Sequence, residues 1–280
     1  CDYGCSYCTI PTARGSSRNQ TISNLVEEAG KIAQKGVREI VLTGVNIGDF
    51  GKSTGESFSS LLRELIKVEG IERYRISSIE PNLLTDELIE FTSSHRKILP
   101  HFHIPLQSGN DKILGLMRRR YKRALFAGKI RLIRELMPLA GIGADVIVGF
   151  PGETDKDFDV THSFLEEMPL SYLHVFNFSE RPGTHAAGLP DKVPFASREN
   201  RSKKLILLSA KKHSEFCKTN SGQFSNVLFE HTRDNGMITG FTENYIKVES
   251  KWETRLAGNI IRVRVRDIAP SGRMRVELTE

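Results

Sequence analysis

The sequence predicts an α/β fold built on a parallel sheet, followed by a small all-β barrel. Apolar strand-like runs alternate with amphipathic helix-like segments through the first three quarters of the chain. Short alternating runs, broken by Gly and Asn-Gly turns, fill the last quarter. Strands that alternate with helices are typical of parallel sheets wound by right-handed crossovers, and short strands between turns are typical of barrels.

Five pairs of strand and helix can be placed in order. The predicted strands cover residues 37–43, 73–79, 101–107, 142–150 and 171–178, and the predicted helices cover residues 24–36, 57–68, 86–93, 124–137 and 155–168. Asn24 and Glu27 have the spacing of a capping box, which predicts the start of the first helix. A long helix is predicted over residues 195–219, and we expect two domains, residues 1–217 and 218–280.

Composition restricts the class of protein. The 280 residues are 39% hydrophobic, which suits one large core and one small one. No apolar run is long enough to span a bilayer, and no secretory leader is visible, so we expect no membrane partner. Cysteines without an evident disulfide scheme predict a reducing, cytoplasmic location.

Three cysteines lie within the first eight residues, with the spacing Cys1-x3-Cys5-x2-Cys8. Four cysteine thiolates normally hold an iron–sulfur cubane, so three would leave one iron open to another ligand. A structural zinc site needs four ligands close together, and the first histidine is His95. A disulfide between two of these cysteines would leave the third thiol unpaired. The spacing therefore favours a cluster with an open iron.

Polar and glycine-rich segments follow every predicted strand. They cover residues 43–46, 77–81, 107–111, 149–154 and 179–184. The carboxyl ends of parallel strands meet at one edge of the sheet, where ligands bind in barrels and open α/β sheets. We expect the functional site at this edge.

Several polar residues keep more than one interpretation. Asp145 lies within an apolar strand, where a carboxylate needs a partner, and it fits either a structural role or binding. His101 and His103 share one strand face and fit packing as well as catalysis. Cys217, alone on the long helix, is predicted to be a buried thiol.

Basic residues are concentrated in two places. Residues 118–134 contain eight basic side chains and no acidic one. Near the end of the chain, Arg262, Arg264 and Arg266 alternate with valines, so a strand would place all three guanidinium groups on one face. Such a stripe fits a nucleic-acid contact or an ordinary solvated face.

These segments resemble the radical S-adenosylmethionine (SAM) methylthiotransferases. The matching runs are C-D-Y-G-C-S-Y-C, V-L-T-G-V-N-I-G-D-F-G, R-I-S-S-I-E-P, H-I-P-L-Q-S-G-N-D, M-R-R-R-Y, D-V-I-V-G-F-P-G-E-T and H-V-F-N-F-S-E-R-P-G-T. The resemblance covers essentially the whole chain. The run L-T-G-V-N-I-G-D-F-G is most similar to the tRNA threonylcarbamoyladenosine methylthiotransferases of the MtaB type.

The resemblance implies a fold and a reaction. The fold is a radical SAM partial (β/α)6 TIM-like barrel, whose first strand would precede Cys1, followed by a TRAM barrel that binds RNA. The reaction is methylthiolation of C2 of N6-threonylcarbamoyladenosine at position 37 of tRNA, with SAM as methyl donor and radical source. A one-electron reductant such as a flavodoxin or ferredoxin is implied as partner.

The resemblance also implies site residues. Cys1, Cys5 and Cys8 would bind the 4Fe–4S cluster that cleaves SAM. The SAM-binding residues would be Tyr7, Gly44, Asn46, Gln107, Ser108, Val175 and Phe176. A second 4Fe–4S cluster is expected only in an amino-terminal domain that this sequence lacks.

Two rival functions remain open at the level of sequence. One is a sister methylthiotransferase that modifies an aspartate of a ribosomal protein. The other is a non-catalytic RNA-binding protein with a structural cluster, against which the intact cysteine spacing argues.

Overall fold

Five parallel strands form the central sheet of the computed structural model, which describes residues 1–279. They are β1 (Glu39–Leu42), β2 (Arg73–Ile76), β3 (His101–His103), β4 (Gly141–Val148) and β5 (Tyr172–Asn177). β1 pairs with β2, and β4 pairs with both β3 and β5. Parallel bridges from Tyr74 to Ile98 and from Ser78 to His103 join the two groups. The strands therefore follow chain order, and the predicted α/β architecture is confirmed.

Helices separate the strands. They are α1 (Ile10–Arg14), α2 (Ile22–Ala33), α3 (Phe58–Leu65), α4 (Asp86–Ser94), α5 (Asp111–Leu116), α6 (Arg123–Leu136), α7 (Asp155–Glu167) and α8 (Phe195–Asn220). The start predicted for α2 is wrong: Thr21 is its N-cap, and the Thr21 side chain accepts from the backbone N–H of Asn24. Asn24 thus lies inside the first turn, because Thr21 already provides the cap.

Side chains on β4 alternate between the helix layer and the lumen. On β4, Ala144, Val146 and Val148 are completely buried against the helices, whereas Asp145 and Ile147 lie on the other face and are only partly buried. This alternation is the two-residue period of a strand. The sheet therefore presents an apolar face to the core and a mixed, accessible face to the lumen.

The last quarter of the chain is a closed five-stranded barrel. Its strands are β6 (Phe224–Asp234), β7 (Met237–Phe241), β8 (Lys247–Lys251), β9 (Ile260–Ile268) and β10 (Met274–Leu278). Asn235 and Gly236 both have positive φ in the turn from β6 to β7, which suits a tight hairpin. The predicted all-β barrel is confirmed.

Helix α8 connects the two parts of the molecule. It continues to Asn220, beyond the boundary predicted after residue 217, and Cys217 is buried in the apolar cluster of the barrel. The prediction of a buried Cys217 thiol is confirmed. The last turn of α8 thus belongs to the barrel by packing, while the domain boundary itself stays a prediction.

The barrel contacts the amino-terminal ends of the parallel strands. Arg73 donates to the carbonyl of Asn226, and Arg75 donates to the carbonyl of Glu243 at 3.2 Å. The ring of Tyr245 lies 4.4 Å from that of His101, between centroids. The opposite, carboxyl-terminal end of the sheet stays clear of these contacts. Among residues 1–279, no helix combines the length and apolarity that crossing a bilayer requires.

Candidate active site

The cysteine loop lies at the carboxyl-terminal edge of the sheet and is held there by Ser6. The Ser6 N–H donates to the carbonyl of Met117 at 3.1 Å, and its hydroxyl donates to the carbonyl of Leu116 at 2.8 Å. Its own carbonyl accepts from the N–H of Ala186 at 2.8 Å. One small buried residue therefore fixes the loop to the end of α5 and to the segment after β5.

The three cysteines are free thiols, each partly buried. Three tetrahedral sulfur ligands at ~2.3 Å from one zinc ion would lie about 3.8 Å apart. Among residues 1–279, the only three His, Cys, Asp or Glu side chains whose ligand atoms lie within 4.8 Å of one another are His103, Asp145 and His174. The three cysteine sulfurs therefore do not all lie within 4.8 Å of one another, and an all-thiol set of three suits an iron–sulfur centre.

Arg119 is a site residue that was not predicted from the sequence. Its side chain is 2% exposed and contacts four polar groups. Nη1 donates to Cys5 Sγ at 3.2 Å and to Tyr7 Oη at 3.4 Å. Nε donates to Tyr121 Oη at 3.1 Å, and Nη2 is paired with the carboxylate of Glu80. Arg119 therefore links the cysteine loop to the segment after β2.

The electrostatics of Cys5 depend on this arginine. Burial raises the pKa of the Cys5 thiol, and the guanidinium of Arg119 opposes that rise by charge and by its hydrogen bond. A cation beside the sulfur favours the thiolate form, which is the form that binds metal. Arg119 thus offsets part of the cost of a buried thiolate.

Tyr7 packs at the inner side of the loop. Its ring meets that of Phe150 edge-on, with 6.4 Å between centroids, and it contacts a small apolar cluster that includes Met117 and Phe178. Burial raises the pKa of the Tyr7 phenol, so it stays neutral. Its contact with the adenine of SAM stays a prediction.

Gly44 and Asn46 lie beside the first cysteine. Together with Cys1 they line a cleft of about 370 Å³. The Asn46 side chain donates to Asp49 Oδ2 at 2.9 Å, while its Oδ1 is buried without a hydrogen-bond partner among the described residues. A Cβ on Gly44 would lie 3.2 Å from Ile47 Cγ2, so the turn is tight. SAM binding by Gly44 and Asn46 stays a prediction.

Gln107 and Ser108 follow β3, and their side chains have different surroundings. Gln107 has φ +67°, its N–H donates to the carbonyl of Asp145, and its Oε1 is buried without a partner in residues 1–279. Ser108 is fully buried, with its Oγ 3.2 Å from Thr161 Oγ1 on α7. Ser108 thus holds the loop against a helix. The contacts of Gln107 and Ser108 with the ribose stay predictions.

Val175 and Phe176 occupy opposite faces of β5. Val175 packs against the main core, whereas Phe176 is 51% exposed toward the lumen. Only the Phe176 side chain can therefore reach a ligand in the lumen, and Val175 can contribute only its backbone. Their place beside adenine stays a prediction.

The segment after β4 is fixed by a buried ion pair. Glu153 Oε2 accepts from the Gly149 N–H at 2.6 Å and from Arg201 Nη1 at 2.6 Å. Gly149 has φ +76°, and a Cβ there would lie 2.3 Å from Arg198 Cγ on α8. Glycine is thus required where the long helix crosses this edge of the sheet.

Asp145, for which the sequence allowed either a structural or a binding role, faces the lumen between two histidines. Its Oδ1 lies 2.8 Å from His103 Nε2 and 3.4 Å from His174 Nδ1. His103 and His101 do share a face of β3, and His101 Nε2 lies 2.9 Å from Tyr172 Oη. Burial lowers the pKa of His101 to about 3, so its imidazole is neutral. The carboxylate has the partners that its position demanded.

On the terminal barrel, arginines and valines of β9 lie on opposite faces, as their alternation in the sequence predicted. Val263 and Val265 are buried in the barrel, and Arg262 and Arg264 are exposed on its outer surface. Both guanidinium groups lie over the exposed ring of Phe224, at 5.1 and 5.9 Å. A pair of arginines around an exposed aromatic ring is suited to nucleic acid. Phe224 was missed because its partners lie about forty residues away in sequence.

The third arginine differs from the other two. Arg266 forms an ion pair with Glu277 on the neighbouring strand β10. Its charge is therefore partly neutralised within the barrel. RNA binding by the three arginines stays a prediction.

Comparison with known proteins identifies related sequences. The sequence model of the radical SAM superfamily matches residues 1–165. The chain is 38% identical to threonylcarbamoyladenosine tRNA methylthiotransferase MtaB of Bacillus subtilis, over 95% of this chain and 60% of the relative. It is 40% identical to the enzyme of the same name from Aquifex aeolicus, over 94% and 63%. It is 36% identical to tRNA-2-methylthio-N(6)-dimethylallyladenosine synthase of Syntrophotalea carbinolica, over 95% and 61%.

Solved structures share the fold. The radical SAM methyltransferase TsrM of Kitasatospora setae matches with a TM-score of 0.56 and 15% identity, over 85% of this chain and 40% of that one. Coproporphyrinogen III oxidase HemN of Escherichia coli matches with a TM-score of 0.55 and 12% identity, over 95% and 64%. The chain spans 60–63% of the length of the curated relatives named above.

Proposed function

The chain belongs to the radical SAM superfamily, and from that premise we propose that it methylthiolates C2 of N6-threonylcarbamoyladenosine at position 37 of tRNA. The observation that carries the proposal is the three-thiol loop, fixed by Ser6 and Arg119 at the carboxyl-terminal edge of the sheet. The substrate is supported by the names of the two relatives at 38% and 40% identity, whose similarity includes the terminal barrel.

The cofactors of the superfamily are a 4Fe–4S cluster and SAM, and the residues present fit them. Cys1, Cys5 and Cys8 would hold the cluster, with Arg119 beside Cys5 to offset the charge of the thiolate. When bound, the cluster and SAM supply the one-electron chemistry that activates a C–H bond. The protein binds, orients and shields the reacting groups.

Two unpartnered oxygens support the proposed SAM site. Asn46 Oδ1 and Gln107 Oε1 are both buried without a hydrogen-bond partner in residues 1–279. Buried acceptors of this kind require a donor, and the ammonium and ribose hydroxyl groups of SAM are donors. We therefore assign Asn46 to the SAM amino group and Gln107 to its ribose, while Ser108 supports the loop from behind.

Sulfur transfer requires a sulfur source in addition to SAM. The fourth cysteine, Cys217, is buried in the barrel, and burial raises the pKa of its thiol to about 11. Cys217 is thus unsuited to this role. We place the sulfur source on a second 4Fe–4S cluster, in a part of the relatives that this chain does not match. A flavodoxin or ferredoxin would supply electrons, in the cytoplasm, where tRNA and reduced thiols occur together.

Nucleoside mass spectrometry of tRNA tests the proposed substrate. Cells that lack the full-length gene should accumulate N6-threonylcarbamoyladenosine and lose its 2-methylthio derivative, and the intact gene should restore the derivative. A variant with Cys1, Cys5 and Cys8 replaced by alanine should not restore it. Unchanged tRNA, together with loss of a methylthiolated aspartate from a ribosomal protein, would assign the chain to the sister enzymes instead.

A further inference from the structure

A polar cluster occupies the middle of the lumen, away from the cysteine loop. It consists of His103, Asp145 and His174, on the neighbouring strands β3, β4 and β5. Asp145 and His174 are directly paired across β4 and β5, and His103 is level with Gly143. Ligand atoms of all three side chains lie within 4.8 Å of one another. Strand register, rather than loop conformation, therefore fixes this cluster.

The cluster is open to a ligand on one side. The His174 side chain is 55% exposed, whereas those of Asp145 and His103 are 21% and 13% exposed. His174 Nδ1 lies toward Asp145, and no hydrogen bond within residues 1–279 uses its Nε2. The contact with Asp145 therefore leaves one ring nitrogen of His174 available to a ligand in the lumen.

The depth of the cluster suits a substituent on the substrate base. Asp145 lies three residues before the end of β4 at Val148, and His174 lies three residues before the end of β5 at Asn177. At ~3.3 Å per residue, the cluster is about 10 Å below the edge where the cysteine loop lies. The exposed ring of Phe176, on the same face of β5 as His174, flanks the path between them.

We propose that this cluster recognises the polar substituent on N6 of the substrate adenosine and that His174 is a specificity-determining residue. The proposal rests on the function proposed above. A threonylcarbamoyl group carries N–H, hydroxyl and carboxylate groups that can hydrogen-bond to imidazole and carboxylate side chains. A dimethylallyl group has none, and would cover the available His174 ring nitrogen without giving it a partner. Sites built to hydrogen-bond a substrate group reject analogues that lack it by large factors.

Binding of anticodon stem-loop RNAs tests the inference. Three stem-loops would differ only at position 37, which carries adenosine, N6-threonylcarbamoyladenosine or N6-dimethylallyladenosine. Fluorescence anisotropy with the full-length, cluster-reconstituted protein should show at least roughly tenfold tighter binding of the threonylcarbamoyl form than of the dimethylallyl form. His174→Phe keeps a planar ring but removes both nitrogens, and should bring this ratio close to one.

Two further variants control the result. His174→Asn keeps a donor toward Asp145 but lacks the second ring nitrogen, so it should lose selectivity as His174→Phe does. His162→Phe makes the same exchange on the outer helix α7 and should keep the wild-type ratio. Affinity for the unmodified stem-loop should change less than about twofold in every variant that folds, because only the substituent contacts the cluster.

Each other outcome has a definite meaning. A wild-type protein without preference, or a His174→Phe variant that keeps the full preference, would overturn the inference. A bound divalent ion that is lost in His174→Phe, with RNA selectivity unchanged, would make the cluster a cation site of two imidazoles and a carboxylate. If the protein distinguishes the stem-loops but forms no methylthio nucleoside, the proposed reaction fails and the inference stands.

Discussion

The cysteine-loop region and the outer face of the terminal barrel use arginine in opposite ways. The Arg119 side chain is 2% exposed and contacts Cys5, Tyr7, Tyr121 and Glu80. Arg262 and Arg264 are exposed on β9, lie over one aromatic ring, and within residues 1–279 are paired with no carboxylate.

The difference separates two roles of the same side chain. A buried charge is costly without its partners, so Arg119 can only position the groups that it contacts. An exposed charge is screened by salt and costs little, so Arg262 and Arg264 can attract a polyanion from solution. Loss of the first should therefore affect stability and the cluster loop, and loss of the others should affect RNA affinity.

The largest expected effect comes from Arg119→Ala. Removing one partner of a buried ion pair leaves the Glu80 carboxylate uncompensated, so the free energy of unfolding should fall by about 3–5 kcal/mol. Urea denaturation measures this directly. Arg118→Ala removes the same charge from the neighbouring exposed position and should change stability by less than about 0.5 kcal/mol.

The Glu80 partner provides a further check on that prediction. Glu80→Gln and Arg119→Ala each remove the same ion pair. The double variant should therefore lose less free energy of unfolding than the sum of the losses in the two single variants. If Arg119→Ala is no more destabilising than Arg118→Ala, the description of Arg119 as a buried, partnered charge is incorrect.

Changing Arg262 and Arg264 to alanine together should weaken tRNA binding without affecting the fold. Two lost phosphate contacts should reduce the slope of log affinity against log salt by about 1.5. Filter binding at several salt concentrations gives that slope. Arg255→Ala with Arg275→Ala, which removes two exposed barrel arginines already paired with carboxylates, is the matched control. Equal slopes in the double variant and the wild type would show that Arg262 and Arg264 do not contact phosphates. The other basic segment, residues 118–134, would then be the expected tRNA contact.

Arg266→Ala should give the smallest effect. Its guanidinium is paired with Glu277, so its removal takes little free positive charge from the surface. We expect the salt slope to fall by less than about 0.7, the value for a single full contact. Glu277→Gln should release Arg266 and slightly strengthen binding. A fall as large as that for Arg262 or Arg264 would show that Arg266 exchanges Glu277 for a phosphate.

Local patterns predicted much of the fold and the position of the site. Apolar runs predicted all five parallel strands, and the alternation of Arg262 to Arg266 with valines predicted both faces of β9. The spacing of the three cysteines predicted their common loop. These features depend on neighbours within a few residues, which a sequence displays directly.

Features that depend on distant residues could not be predicted. Arg119 is one of eight similar basic side chains in its segment, and only the fold brings it to Cys5, 114 residues away. The pairing of Asp145 with His103 and His174 depends on strand register. The short helices α1 and α5 were missed because five or six residues show no clear helical period.

Anaerobic reconstitution of the chain with iron and sulfide tests whether Cys1, Cys5 and Cys8 hold a cluster that cleaves SAM. We expect one 4Fe–4S cluster per chain and, after reduction, formation of 5′-deoxyadenosine from SAM. Replacing Cys1, Cys5 and Cys8 by alanine should abolish the cluster absorbance and the product, whereas Cys217→Ala, which changes only a buried barrel thiol, should keep both. Iron and SAM cleavage that persist in the triple-alanine variant would contradict the assignment of the cluster to these three cysteines.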